Sequence, residues 1–419
     1  MSDSLYKKVR SSRSLHNAWR IVHGNGITSK SDKTRKQVKE FYQESDKHLR
    51  RIGNQLYKKT FEFLPSEGVL IEKPGKSSKR PIVKSPIENR IVQRSILDVL
   101  QSHPPLAPYF TVQTSFGGIK DRGVSDALRA AYQAIQSGAR YYLRSDIESF
   151  FTKIPKPTIL STIGDTTTDT EFLELLKGAI TTELSNMEQL GAGIHAFPIY
   201  DIGVAQGSCL SPLLGNILLN EFDIKMNQGD ITCIRYIDDF IILAPTVKAI
   251  NAAFKKANNQ LKKHSLTAYD PKNDHDKAEM GKTTSMFSFL GCEIKPGLIR
   301  PNRKSQKRLL DNIDVLFNNS AALMVNPDEL VKKHRTVTET LNDVSNIMKG
   351  WGNQYSFCND PTLMRAIDAK VDKKISTYLS RYAAAKTRFD KAGEMDNRRR
   401  LLGVHLLTDS KRDPIIKPA

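Results

Sequence analysis

The sequence predicts an α+β fold: a core in which strands and helices interleave, followed by an appended helical domain. Three observations carry this. Short apolar, β-branched runs alternate with segments of helical period up to about residue 300. From Arg300 to about residue 385 the pattern becomes mostly helical and strongly basic. The length of 419 residues suits two or three domains or subdomains.

Each element has its own signal. Residues 1–60 are polar and basic, and read as helical. Residues 68–83 read as a hairpin, because two apolar runs flank a turn of Gly, Ser and Lys. Residues 86–101 read as a helix, with Ile91, Val92, Ile96, Val99 and Leu100 at helical spacing. Residues 124–137 form another. Tyr141 to Ile147 reads as a strand entering a turn. A short strand or loop follows at 198–206. The next helix has Ser211 as its N-cap and Pro212 at its first position, with Leu213, Leu214, Ile217 and Leu218 as its apolar face. Residues 232–244 give two short strands with Asp238 and Asp239 at the bend. A further strand pair falls at 284–295. The tail carries a basic cluster, Arg398 to Arg400, and an apolar stretch from Leu401 to Leu407.

Composition narrows the function. Hydrophobic residues make up 39% and charged residues 26%, the balance of a folded chain rather than a disordered one. Lys plus Arg outnumber Asp plus Glu by 64 to 45, a formal charge of +19 whose field attracts phosphate backbones or anionic membranes. No apolar run approaches the ~18 residues of a membrane span. The first residues lack the apolar stretch of a signal peptide. Nucleic acid is therefore the expected partner, with no membrane association, in the cytoplasm. Cys209, Cys233, Cys292 and Cys358 have no zinc-type spacing and read as reduced thiols.

The sharpest local feature is Tyr236-Ile237-Asp238-Asp239-Phe240. Adjacent carboxylates inside an apolar run repel each other, and burial penalises their ionisation. A cation that neutralises them explains the pair, and Mg²⁺ takes such ligands together with substrate phosphates. A solvated turn is the plainer reading. Asp146 adds a third carboxylate at a strand end, where a helix N-cap is the plainer reading. Two strands side by side would bring Asp146 next to Asp238 across 92 positions (238 − 146). Two metal ions held by such carboxylates perform in-line phosphoryl transfer.

These segments, in this order, resemble the palm motifs of reverse transcriptases. Asp146-Ile147-x-x-Phe150-Phe151 resembles the first. Gln206-Gly207-Ser208-x-Leu210-Ser211-Pro212-Leu213-Leu214-x-Asn216 resembles the second. Tyr236-Ile237-Asp238-Asp239 resembles the third, and Phe289-Leu290-Gly291 the palm–thumb junction. The likeness covers residues 65–300 and, more loosely, the helical region after them. It implies a right-hand fold: residues 1–64 as a helical extension of the fingers, 65–300 as fingers and palm, and 301–419 as a basic helical thumb and tail.

It also implies roles. Asp146, Asp238, Asp239 and the carbonyl of Ile147 would hold two Mg²⁺ ions, with Mn²⁺ as a possible substitute. Phe151 would be a steric gate against a ribose 2′-hydroxyl, or else core packing. Gln206 and Gly207 would touch the nucleotide and template, or else form an ordinary turn. Arg80 would contact the triphosphate with help from Lys73, and Arg90 would line the template path. A solvated basic loop is the alternative for these. Among Lys272, Lys277 and Lys282, Lys277 has the best spacing for protonating pyrophosphate. Lys349-Gly350-Trp351 with Tyr355 resembles a thumb segment of group II intron maturases, where Lys349 and Trp351 would meet nucleic acid. Packing of Trp351 on Tyr355 is the favoured reading there.

The implied activity is RNA-directed DNA synthesis from dNTPs on an RNA template, giving a DNA product. The resemblance extends to the unknown-group, defence-associated bacterial enzymes, several of which work with a small noncoding RNA, so antiphage defence is the implied setting. A retron-type enzyme and an RNA-binding, maturase-like protein are the alternatives. A viral RNA-dependent RNA polymerase would instead favour G-D-D and a small or polar group near position 151.

Overall fold

The computed structural model describes residues 4–29, 31–72 and 79–410. Helix starts follow local chemistry. The side chains of Ser11, Ser31, Asp169, Thr246, Asn302 and Thr336 each accept a backbone N–H in the first turn of the helix they precede. The chain divides into two compact units, Met1–Thr283 and Thr284–Ala419.

The first unit opens with four helices ending at Tyr57, as the polar, basic start predicts. Strands β1 (Glu67–Glu72) and β2 (Lys79–Lys84) then pair antiparallel, from Glu67 opposite Lys84 to Glu72 opposite Lys79. Lys73 and Lys76, in the expected turn, lie outside the described residues. The predicted helices are present as Ile87–Gln101 and Val124–Gln136.

Four strands build the sheet that carries the aspartates: β3 (Tyr141–Asp146), β4 (Thr232–Tyr236), β5 (Asp239–Ala244) and β6 (Glu279–Lys282), in the order β4-β5-β3-β6 with every pair antiparallel. Ile241 to Ala244 are wholly buried, as the unbroken apolar run requires.

One expectation for the helix at 211 is corrected and another is widened. The helix spans Ser211–Met226, and Ser211 is its first residue rather than its N-cap. The Ser211 hydroxyl donates instead to the Ala205 carbonyl at 2.7 Å, tying the helix to the preceding loop. The expected apolar face of Leu213, Leu214, Ile217 and Leu218 is buried in the core, and the buried surface extends beyond it. Leu213, Leu214, Ile217, Leu218, Leu219 and Phe222 bury most of its circumference in the core, as in a helix enclosed by its own unit.

The second unit has a three-stranded antiparallel sheet of β7 (Phe287–Phe289), β8 (Cys292–Lys295) and β9 (Leu298–Pro301), one strand more than expected. Helices from Arg303 to Leu402 follow, around a separate core that includes Phe317 stacked on Tyr378 at 4.6 Å. All four cysteines are free thiols. No described helix is long and apolar enough to cross a membrane.

Candidate active site at the end of the four-stranded sheet

Strand register assembles the site. Asp146 ends β3 directly opposite Asp239, the first residue of β5. The N–H of Ile147 donates to the Asp238 carbonyl at 2.9 Å, and the N–H of Tyr269 donates to the Asp146 carbonyl at 3.1 Å. Asp146 therefore belongs to the sheet; the next short helix is preceded by Ser149, so the N-cap reading of Asp146 fails. Ile237 and Asp238 alone connect β4 to β5. Two-residue hairpins need positive φ, usually supplied by Gly, Asn or Asp. Here Ile237 sits at φ +63°, a strained position for a β-branched residue.

The surroundings hold that strain. Gly117 lies against the turn so closely that a Cβ there would stand 2.5 Å from Ile237 Cγ1 and 2.6 Å from its backbone nitrogen. The buried Arg235 donates from Nη1 to the Ile237 carbonyl at 2.9 Å.

Electrostatics set the chemistry. Burial, then the neighbouring Asp239, push the Asp238 carboxyl up to about 6. Burial raises Asp239 as well, against the opposing charge of Arg144. No other described side chain donates a hydrogen bond to either carboxylate. Asp146 differs, because the Lys277 ammonium pairs with its Oδ2. Of the three candidate lysines, Lys277 is the one that reaches this carboxylate, projected by a turn in which its N–H donates to the Asp274 carbonyl at 2.8 Å.

Among the described residues no group of three or more His, Cys, Asp or Glu side chains is arranged as a metal cage. The donors present are carboxylate oxygens, the type Mg²⁺ takes one or two at a time while substrate phosphates and water complete its shell. Two adjacent, half-buried carboxylates, whose raised pKa persists despite the fields of Arg80, Arg144 and Arg235, are what such an ion would neutralise.

This charge has a cost. Asp238 titrates at about 6 instead of its ordinary 3.8. The native chain thus retains a proton that the unfolded chain releases between those values, and stability falls as pH rises through that window. The penalty is complete above pH ~6 and is on the order of 3 kcal/mol for a shift of about two pK units. Asp238→Asn with Asp239→Asn should raise the thermal midpoint by several degrees in metal-free buffer at pH 8. The gain should disappear near pH 4. Equal midpoints at pH 8 would contradict the burial argument.

The remaining predicted residues divide by place. Phe150 is 2% exposed and packs on Gly215, where a Cβ would meet its ring at 2.7 Å. Phe151 is half-buried, and its carbonyl accepts from Val204 N–H at 2.7 Å. Phe150 is spent on the core, and the half-buried Phe151 ring packs beside it with centroids 5.4 Å apart. The Gln206 carbonyl accepts from Val83 N–H at 2.9 Å. Gly207 has φ +117°, and a Cβ there would be 2.8 Å from the Val83 carbonyl oxygen. The loop therefore lies on β2 and requires glycine. Arg80 is exposed on β2, and its charge acts on Asp238. Arg90 is half-buried near Cys209, and burial lowers its pKa. Lys73 lies outside the described residues. Lys349 and Trp351 belong to the second unit. Lys349 is exposed there, and the Trp351 ring packs 4.8 Å from that of Tyr355, which is the packing reading.

Comparison with known proteins finds relatives by sequence. A 24% identical relative, Protein YkfC of Escherichia coli (strain K12), aligns over 63% of this chain and 75% of its own length. The group II intron-encoded protein LtrA of Lactococcus lactis subsp. cremoris is 25% identical over 54% of this chain and 37% of its own. An uncharacterized 91 kDa protein in the cob intron of Schizosaccharomyces pombe (strain 972) is 27% identical over 41% of this chain. The chain spans only 20% of the length of that last protein. The family model described as reverse transcriptase (RNA-dependent DNA polymerase) matches residues 71–294, a span that holds all three aspartates and the loop at Gly207. By that match over more than half its length, the chain belongs to the reverse transcriptase family.

Proposed function

We propose that the chain is an RNA-directed DNA polymerase that copies an RNA template into cDNA. One observation carries the reading: strand register gathers Asp146, Asp238 and Asp239 at a sheet end where burial raises the pKa of the last two despite nearby arginines. Asp146, Asp238 and the Ile147 carbonyl hold Mg²⁺, and Asp239 assists. When bound, the metal supplies Lewis-acid activation of a 3′-hydroxyl and charge neutralisation on the triphosphate. Arg80 and Lys73 bind the triphosphate as cations. Gln206 and Gly207 present backbone to the incoming nucleotide. Phe151 limits the sugar edge, and Lys277 protonates the leaving pyrophosphate. Arg90 follows the template. Residues 1–64, 65–300 and 301–419 take the parts of fingers extension, fingers with palm, and thumb, the last gripping duplex phosphates through Lys349 and its basic neighbours.

The biological setting we propose is antiphage defence, with a partner noncoding RNA as template. A second reading, an RNA-binding maturase-like protein, is favoured by two relatives that lie in introns. Sequencing the RNA and DNA that co-purify with the chain separates the two. We expect a defined RNA together with DNA complementary to it, the DNA disappearing in the Asp238→Ala, Asp239→Ala variant. RNA without DNA, before and after phage infection, would favour the binding protein.

A further inference from the structure

We infer that Arg235, locked to Asp223, is a positioning residue that fixes the aspartate-bearing turn onto the helix Ser211–Met226. The inference deepens the polymerase reading and rests on it. Arg235 lies in β4 and is 0% exposed; Asp223, on that helix, is 3% exposed. Nε donates to Asp223 Oδ1 at 2.7 Å, and Nη2 pairs with Oδ2 in the two-pronged geometry natural to Arg and carboxylate. The same guanidinium donates from Nη2 to Ser115 Oγ at 2.8 Å and from Nη1 to the Ile237 carbonyl at 2.9 Å. Its backbone is held as well: Arg235 N–H donates to Thr114 O at 2.8 Å, and Phe116 N–H donates to Arg235 O at 3.0 Å.

A buried ion pair adds little net stability, since desolvation offsets most of the attraction, and well-packed apolar residues often serve as well. Stability alone does not explain this one. What the guanidinium does that an apolar side chain cannot is aim a donor at the carbonyl of a residue held at φ +63°. Asp238 is the next residue. The peptide that carries the fixed carbonyl is therefore the one that sets where the Asp238 carboxylate starts. The helix at the other end of the pair is tied through Ser211 to Ala205, in the loop that leads to Gln206 and Gly207. One rigid element thus registers the metal-binding turn against the nucleotide-binding loop.

Two variants test this. Arg235→Met with Asp223→Leu replaces the pair by apolar groups and removes the donor to Ile237. Arg235→Lys keeps the charge facing Asp223, but one ammonium cannot also span Ser115 and the Ile237 carbonyl. Thermal midpoint, RNA affinity, Mn²⁺ binding by electron paramagnetic resonance, and single-nucleotide addition against Mg²⁺ concentration are measured for each. In whichever variant melts within a few degrees of wild type, addition should slow at least about tenfold. Half-saturation by Mg²⁺ and the Mn²⁺ dissociation constant should rise at least about threefold, with RNA affinity unchanged. A folded variant with wild-type Mn²⁺ affinity and rate overturns the inference. So does a parallel loss of midpoint, RNA affinity and rate in both variants, which marks a purely structural role. A wild-type chain that binds Mn²⁺ yet extends no primer defeats the polymerase reading alone, and the inference is then decided by Mn²⁺ affinity in the folded variant. A wild type that binds no Mn²⁺ overturns both.

Discussion

Asp238→Ala combined with Asp239→Ala should slow nucleotide addition by at least about 10³-fold, the equivalent of ~4 kcal/mol of transition-state stabilisation. The pair is a clean target for a structural reason. Neither carboxylate accepts a hydrogen bond from another described side chain, so truncation strands no partner. Both are held at raised pKa by burial, so their removal relieves a cost. The fold and RNA affinity should persist, and the midpoint in metal-free buffer should not drop. Asp146 is a less clean target, because its loss would also break the ion pair with Lys277. Single-turnover primer extension on an RNA template, read beside RNA affinity, makes the measurement. Extension within tenfold of wild type would remove these two residues from the chemistry.

Phe151→Val should raise the use of ribonucleotides relative to deoxynucleotides by roughly 10- to 100-fold. The size comes from sterics: an overpacked contact costs about 1–3 kcal/mol, and relieving it returns that amount to the ribonucleotide alone. The choice between the two phenylalanines comes from packing. Phe150 is committed to Gly215 and the core, whereas Phe151 is half-buried with its backbone pinned by Val204. Trimming Phe151, whose half-buried ring also leans on Phe150 and the core, should lower the melting midpoint by less than trimming Phe150 would. An unaltered ratio of ribonucleotide to deoxynucleotide incorporation would assign Phe151 to packing.

Much of this site can be read from residue order, and the reason is physical. Asp238 and Asp239 interrupt an apolar run, and a costly interruption advertises a use. Gly207 precedes a helix start and proves to sit at φ +117° against β2. The hairpins at 67–84 and 232–244 announce themselves by β-branched runs around polar turns. What stays hidden depends on pairing across long separations. Nothing local says that Arg235 will find Asp223, or that Gly117 will press on Ile237. The one available signal is the arginine itself, a lone cation in Thr232-Cys233-Ile234-Arg235-Tyr236, where a buried strand leaves it no solvent. Ser211 misleads for a similar reason. Its sequence context is that of an N-cap, but the Ala205 carbonyl competes for its hydroxyl.

The order in which strands leave the ribosome bears on how this protein is made. β3 is interior to its sheet, yet both its neighbours, β5 and β6, come later in the chain. From the end of β3 at 146 to the end of β5 at 244 there are 98 residues (244 − 146). At ~5–20 residues per second, β3 waits roughly 5–20 s with two open edges. Its Tyr141-Tyr142-Leu143 start is the sort of segment that recruits other chains while it waits. Nascent polypeptides stalled between residues 146 and 239 should therefore be the ones most dependent on chaperones, and the ones most prone to co-aggregate when expression is fast.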